Sequence, residues 1–126
     1  MLLQGKTAVV TGGTRGIGYK VAETYLKNGA KVAILGSRQE TVEKALEKLR
    51  EEDPSWEAAG YWPDLSDYEE VAQTFLQIRE RFGSLDILVN NAGISARESI
   101  FEYAPQDFKK IMDLNVTAVF QCSKAA

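Results

Sequence analysis

The densest chemistry in the sequence sits in Thr11-Gly12-Gly13-Thr14-Arg15-Gly16-Ile17-Gly18. Glycine lacks Cβ, so Gly12, Gly16 and Gly18 can take positive φ and let a ligand approach the backbone. The apolar run Thr7-Ala8-Val9-Val10 leads into them and Tyr19 to Leu26 leads away with helical spacing, which puts the glycines at a strand-to-helix turn. The unpaired N–H groups and positive dipole end of such a helix favour an anion, a phosphate above all. A tight turn without a ligand would satisfy the same glycines. A nucleoside-triphosphate loop needs Gly-x-x-x-x-Gly-Lys-Ser/Thr. From Gly13 the spacing reaches Gly18, but Tyr19 stands at the lysine position and Val21 follows Lys20, so magnesium would find no hydroxyl. The Gly-x-Gly-x-x-Gly dinucleotide fingerprint is also absent; what stands is Thr-Gly-x-x-x-Gly-x-Gly.

Other groups that could do chemistry follow at intervals: Ser37 and Arg38, Asp64 and Leu65, Asn90 to Gly93, and Asn115. The sequence has no histidine, which excludes histidine triads and histidine zinc sites. Its one cysteine, Cys122, lies beside Phe120 on an apolar helical stretch and reads as a small core hydrophobe rather than a reactive thiol.

The elements that must position these groups alternate. Lys6 to Thr11 reads as a strand, and Gly16 to Lys27 as a helix with Ile17, Val21, Ala22, Tyr25 and Leu26 inward. Asn28-Gly29 ends that helix. Lys31 to Leu35 is a strand whose apolar run does not alternate, as suits burial on both faces of a parallel sheet. Gln39 to Arg50 is a helix packed through Val42, Ala45, Leu46 and Leu49, with Ser37 and Glu40 expected as its capping box. Glu57 to Trp62 is a weaker strand. Ser66 and Glu69 are expected to box the next helix, which faces inward through Val71, Phe75, Ile78 and Phe82 and stops at Gly83. Leu85 to Asn90 is the fourth strand. Ile94 to Tyr103 reads as loop, and Pro105 opens a last helix with Phe108, Ile111, Met112, Val116, Val119 and Phe120 on its apolar face. Asn115, polar and weakly helix-forming, interrupts that pattern.

Repeated strand and helix imply an α/β fold: a Rossmann-type, doubly wound parallel sheet of about four strands with helices on both faces. In such sheets ligands bind beyond the carboxyl ends of the strands. The residues singled out above fall on those ends, so four strand ends make one rim.

At 126 residues the chain holds one modest domain. It is 44% hydrophobic and 26% charged with a net charge of −3; no long like-charge run points to nucleic acid or an anionic membrane. The N-terminus lacks the features of a signal peptide and no run approaches a membrane span. A lone cysteine suits a reducing cytoplasm, so the expected setting is cytoplasmic.

Thr-Gly-x-x-x-Gly-x-Gly, Asp64-Leu65, Asn90-Asn91-Ala92-Gly93 and Asn115, in this order and spacing, resemble the short-chain dehydrogenase/reductase family, over the whole sequence. The general look is similar to 3-oxoacyl-(acyl-carrier-protein) reductases and to polyol and hydroxysteroid dehydrogenases. The resemblance implies hydride transfer between NAD(P) and a carbonyl/alcohol pair, on a small-molecule or acyl-carrier-bound substrate. It implies that Gly12, Gly16 and Gly18 form the turn under the cofactor phosphates, with Ile17 on the nicotinamide side and Thr11 and Thr14 among the cofactor-binding residues. Asp64 would accept from the adenine amino group beside the Leu65 N–H. Asn90, Ala92 and Gly93 would pass along the adenosine ribose and brace the central strand. Asn115 would be catalytic, bending its helix so that the main chain holds a water in a proton relay. A homodimer or homotetramer is implied, with the last helix at a subunit interface.

Charge decides which cofactor is expected. NAD enzymes place a carboxylate at the end of the second strand, whereas this chain has Gly36-Ser37-Arg38 there, its first carboxylate being Glu40 inside the helix. Arg38 can offer a bidentate fork to a 2′-phosphate, and Arg15 stands where NADP-preferring relatives resemble one another in carrying a basic residue. NADP is expected over NAD. The family's active-site serine and Tyr-x-x-x-Lys are missing: no tyrosine here is followed four residues later by lysine. Residues 1–126 are therefore expected to be the NAD(P)-binding, N-terminal half of a reductase, inactive alone. The competing expectation is a non-catalytic dinucleotide-binding or interaction module.

Overall fold

A computed structural model describes residues 1–92 and 104–126. Strands β1 (Thr7–Thr11), β2 (Lys31–Leu35), β3 (Ala58–Tyr61) and β4 (Ile87–Val89) form one parallel sheet in the order β3-β2-β1-β4. The order reverses after β3: β2 and β3 step outward from β1 on one side, and β4 lies on its other side. That reversal opens a crevice at the carboxyl end of β1.

Every residue of β1 is buried, and so is all of β2 except Lys31, as the non-alternating apolar runs require of strands covered on both sides. One face packs on helices α1 (Gly16–Lys27) and α2 (Gln39–Glu52) through Ala8, Val10, Val32 and Ile34 against Ala22, Leu26, Val42, Ala45 and Leu49. The other packs on α3 (Tyr68–Phe82) through Val9, Ala33, Leu35 and Ala59 against Val71, Phe75, Ile78 and Phe82. Cys122 joins this second layer from α5 (Ala118–Ala125). Full burial of Phe75 alone removes apolar area worth about 1.5–3 kcal/mol. The fold is the Rossmann-type doubly wound sheet expected from the alternation of elements.

Several local expectations are corrected. Ser37 and Glu40 do not box α2: its N-cap is Arg38, with no side-chain cap bond, and the Thr41 hydroxyl donates to the Arg38 carbonyl at 3.0 Å. Helix α2 starts one residue later than the box needs, which leaves Ser37 exposed. Helix α3 is capped by Asp67, whose Oδ1 accepts from the N–H groups of Glu69 (3.0 Å) and Glu70 (3.3 Å); a carboxylate outcompetes the Ser66 hydroxyl, which donates to Asp64 instead. Ile17 is not a core residue of α1 but 77% exposed, while Tyr19 is buried. The helix from Pro105 runs as α4 (Pro105–Met112), then a π-helical segment over Asp113–Thr117, then α5. Its apolar stripe does not face the sheet: Met112, Val116 and Phe120 are exposed, and Ala118 and Cys122 are the buried positions. The expected loop from Ile94 to Tyr103 lies outside the described residues.

Candidate functional site

The turn after β1 is built by close packing that only glycine permits. A Cβ on Gly18 would overlap the Gly12 carbonyl and come within 2.5 Å of the Asn91 amide nitrogen. At Gly12, with φ +66°, it would press on the Ala92 Cα at 3.0 Å. Gly16 differs: its φ is +57°, yet nothing lies within 4 Å of where a Cβ would go. The first two glycines let the turn nest against the end of β4. Gly16 keeps open the space in front of the α1 N-terminus, where N–H groups and dipole point at an incoming anion.

Thr11 ties the ends of β1 and β4 together. Its buried hydroxyl oxygen accepts from the N–H groups of Asn91 and Ala92, both at 3.0 Å, and donates to the Val89 carbonyl at 3.3 Å. The Asn91 side-chain amide donates to the Gly12 carbonyl at 3.2 Å. Asn91 therefore braces the turn, while the Asn90 amide donates at 3.4 Å to the Ser123 hydroxyl on α5. Sequence reasoning gave Asn91 no role, although a buried threonine hydroxyl opposite a strand end needs a donor to receive. Gly93 lies outside the described residues.

These elements enclose a cleft of about 1270 Å³, above the roughly 300–1,000 Å³ of common small-ligand pockets and thus roomy enough for an extended dinucleotide. Gly12, Thr14, Arg15, Gly16 and Ile17 line its floor; Gly36, Ser37, Arg38 and Thr41 one wall; Trp62, Asp64, Leu65, Ser66 and Glu70 the next; Asn91 and Ala92 continue the rim. Gln106, Lys109 and Lys110 of α4 complete it, three polar residues on a helix whose sequence signal is its apolar spacing. Among the described residues, the cations Arg15, Arg38, Lys109 and Lys110 outnumber the carboxylates Asp64 and Glu70, as suits a polyanionic ligand.

Of the expected site residues that the structure describes, Gly18, Thr11, Asn90 and Asn115 are not among those lining the cleft. Gly18 and Thr11 serve it from beneath. Asp64 is exposed, and its Oδ1 accepts from the Ser66 hydroxyl at 2.6 Å and the Ser66 N–H at 2.9 Å. Those bonds, the hydroxyl first, hold its carboxyl below the usual range, so it stays an acceptor at neutral pH. Leu65 is fixed from behind: the Gln121 amide donates to its carbonyl at 2.6 Å, another contact that no local pattern announced. Asn115 falls inside the π-helical segment, a wide turn that displaces backbone carbonyls from the regular ladder and recurs at functional sites.

Burial pushes the Cys122 thiol up to about 11, which makes it a core residue rather than a nucleophile. Among the described residues, no group of three or more Cys, Asp or Glu could hold a metal ion, and no helix is long and apolar enough to cross a membrane.

The sequence pattern of the family described as short chain dehydrogenase matches residues 6–126. A 3alpha-hydroxysteroid dehydrogenase of Mediterraneibacter gnavus is 54% identical over all of this chain and 50% of its own length. A 3-oxoacyl-(acyl-carrier-protein) reductase of Vibrio cholerae is 33% identical over 99% of this chain and 49% of its own. The crystal structure of a short chain dehydrogenase from Burkholderia cenocepacia in complex with NADP superposes with a TM-score of 0.91 at 37% identity, covering 100% of this chain and 51% of that one. The chain spans about half the length of the curated relatives it matches.

Proposed function

The chain belongs to the short-chain dehydrogenase family, and on that premise we propose that residues 1–126 are the dinucleotide-binding part of an NADP(H)-dependent oxidoreductase acting on a secondary alcohol or its ketone. The carrying observation is the corner after β2. Ser37 and Arg38 line the cleft beside Thr41, with Arg15 across from them, and no carboxylate stands between Leu35 and α2 to receive a 2′-hydroxyl. A guanidinium fork there suits a 2′-phosphate. The lost capping role of Ser37 strengthens this reading, because its hydroxyl is left available to the same phosphate.

Bound nicotinamide would supply or take up the hydride. This chain's residues bind and orient: the α1 N-terminus and Gly16 receive the pyrophosphate, Asp64 and the Leu65 N–H take the adenine edge, and exposed Ile17 covers the nicotinamide side. Ala92, on the rim of the cleft, would follow the ribose. At Asn115 the wide turn frees main-chain groups to hold a water for proton transfer. The acid/base pair itself is expected outside these residues, since they contain no Tyr-x-x-x-Lys.

The 54% relative favours a hydroxysteroid-like substrate over a 3-oxoacyl thioester, whose named relative stands at 33%. The exposed stripe Met112, Val116 and Phe120 suits burial against a second copy, which supports a homodimer or homotetramer. The test is NADPH oxidation by the intact protein with a 3-oxo steroid and with a 3-oxoacyl thioester. Turnover of the steroid is expected to dominate; no turnover of any ketone would remove the enzymatic reading.

A further inference from the structure

Two tryptophans flank β3, and they have different fates. Trp56 packs against the α1–α2 core, whereas Trp62 is 44% exposed and lines the cleft. Side chains alternate between faces: Ala58 belongs with the α1–α2 layer and Ala59 and Tyr61 with the α3 layer, while a Cβ on Gly60 would meet Val42 and Leu46 of α2. Strand β3 ends at Tyr61, and Trp62, the next residue, lines the cleft together with Arg38 and Thr41. It stands two residues before Asp64, whose neighbour Leu65 is held by Gln121.

A partly exposed indole at the mouth of a cationic cleft offers a face on which a flat ring can stack. If the pyrophosphate sits at the α1 N-terminus and the 2′-phosphate at Arg38, the part of the ligand that reaches this corner is the purine ring. We propose that Trp62 is a specificity-determining residue for the nucleotide, stacking on the adenine and giving that end of the cleft an aromatic wall. The inference rests on the dinucleotide reading above. Gly60 takes part indirectly: with no side chain it lets β3 lie close on Val42, which brings the end of the strand, and the indole after it, against the start of α2.

The probe is 2′,5′-ADP, which carries the adenine and the 2′-phosphate but no nicotinamide to absorb tryptophan emission. It is titrated by fluorescence and calorimetry into the intact protein and its Trp56→Phe, Trp62→Phe and Trp62→Ala variants, each first checked for an unchanged circular dichroism spectrum. Quenching is expected to survive in Trp56→Phe and to vanish in Trp62→Phe. Affinity is expected to fall about tenfold in Trp62→Ala, in line with base–aromatic stacking, and to be largely rescued by phenylalanine. If Trp62→Ala binds the probe as tightly as the parent, or quenching persists in Trp62→Phe, the stacking role is wrong while the dinucleotide reading stands. If the parent protein binds neither 2′,5′-ADP nor NADPH, the dinucleotide reading fails and takes this proposal with it.

Discussion

Replacing Thr11 by valine keeps the side chain's shape and removes one oxygen. That oxygen accepts from the N–H groups of Asn91 and Ala92 at 3.0 Å each, and the valine methyl in its place can accept from neither. An N–H orphaned in the interior costs about 1–3 kcal/mol. Asn91 and Ala92 are half-buried, so water can reach them in part and the lower end applies to each. The total is about 2 kcal/mol. Serine is the control: it keeps the oxygen and loses a buried methyl, worth about 1 kcal/mol. With a urea dependence of about 2 kcal/mol per molar, the valine variant should unfold about 1 M earlier than the parent and the serine variant about half that. Equilibrium urea unfolding of the intact protein reads both, with unchanged slopes. The valine variant should also bind dinucleotide more weakly, because the turn is braced through the same residues. If valine costs no more than serine, the hydroxyl is not what joins β1 to the end of β4.

The two glycines of the turn should separate folding from binding. Gly18→Ala drives a methyl into the Gly12 carbonyl and is expected to destabilise by about 3 kcal/mol, read as a lowered melting temperature. Gly16→Ala meets no atom and costs only the roughly 1–2 kcal/mol of a left-handed alanine, yet it fills the space before the α1 N-terminus, so calorimetry should show lost NADPH affinity in a folded protein. On α1, the largely buried Glu23 is hydrogen-bonded to the Lys20 ammonium at 2.9 Å, which above all holds its carboxyl down to about 2 from an ordinary 4.5. A depressed folded value means stabilisation present above pH 4.5 and lost as pH falls toward 2. The stability difference between the parent and Glu23→Gln should therefore be constant above about pH 5 and shrink below it. Cys122, raised to about 11 by burial, should resist thiol reagents at neutral pH in the native protein and react at once in urea.

The sheet was legible because its information is local and redundant. Apolar runs without alternation at Val9-Val10 and Val32 to Leu35, and helical spacing at Val42, Ala45, Leu49 and at Val71, Phe75, Ile78, each specify burial on their own. Helix starts were less legible. Ser37 and Ser66 match a capping box by type and spacing, but competition among neighbouring acceptors is settled in three dimensions, where Arg38 and Asp67 take the N-cap positions. The glycine turn and the strand-end rim could be read from residue type, since few residues tolerate those conformations. Asn91 and Gln121 could not, since each acts on a partner distant in sequence, Gly12 or Leu65, and Lys110 joins the cleft only through the fold. Ile17, Val116 and Phe120 show the limit of apolar periodicity. It marks a surface that wants covering and does not say whether the core, a ligand or another chain covers it.

The central claim is that the corner formed by Ser37, Arg38 and Arg15 receives a 2′-phosphate. Dissociation constants of NADPH and NADH, measured by calorimetry on the intact protein and on its Arg38→Ala variant, test it most directly. The account predicts that NADPH binds at least tenfold more tightly than NADH, about what one lost charge-assisted contact represents, and that Arg38→Ala removes most of that preference while leaving NADH unchanged. Equal affinities in the parent, or tighter binding of NADH, would contradict it.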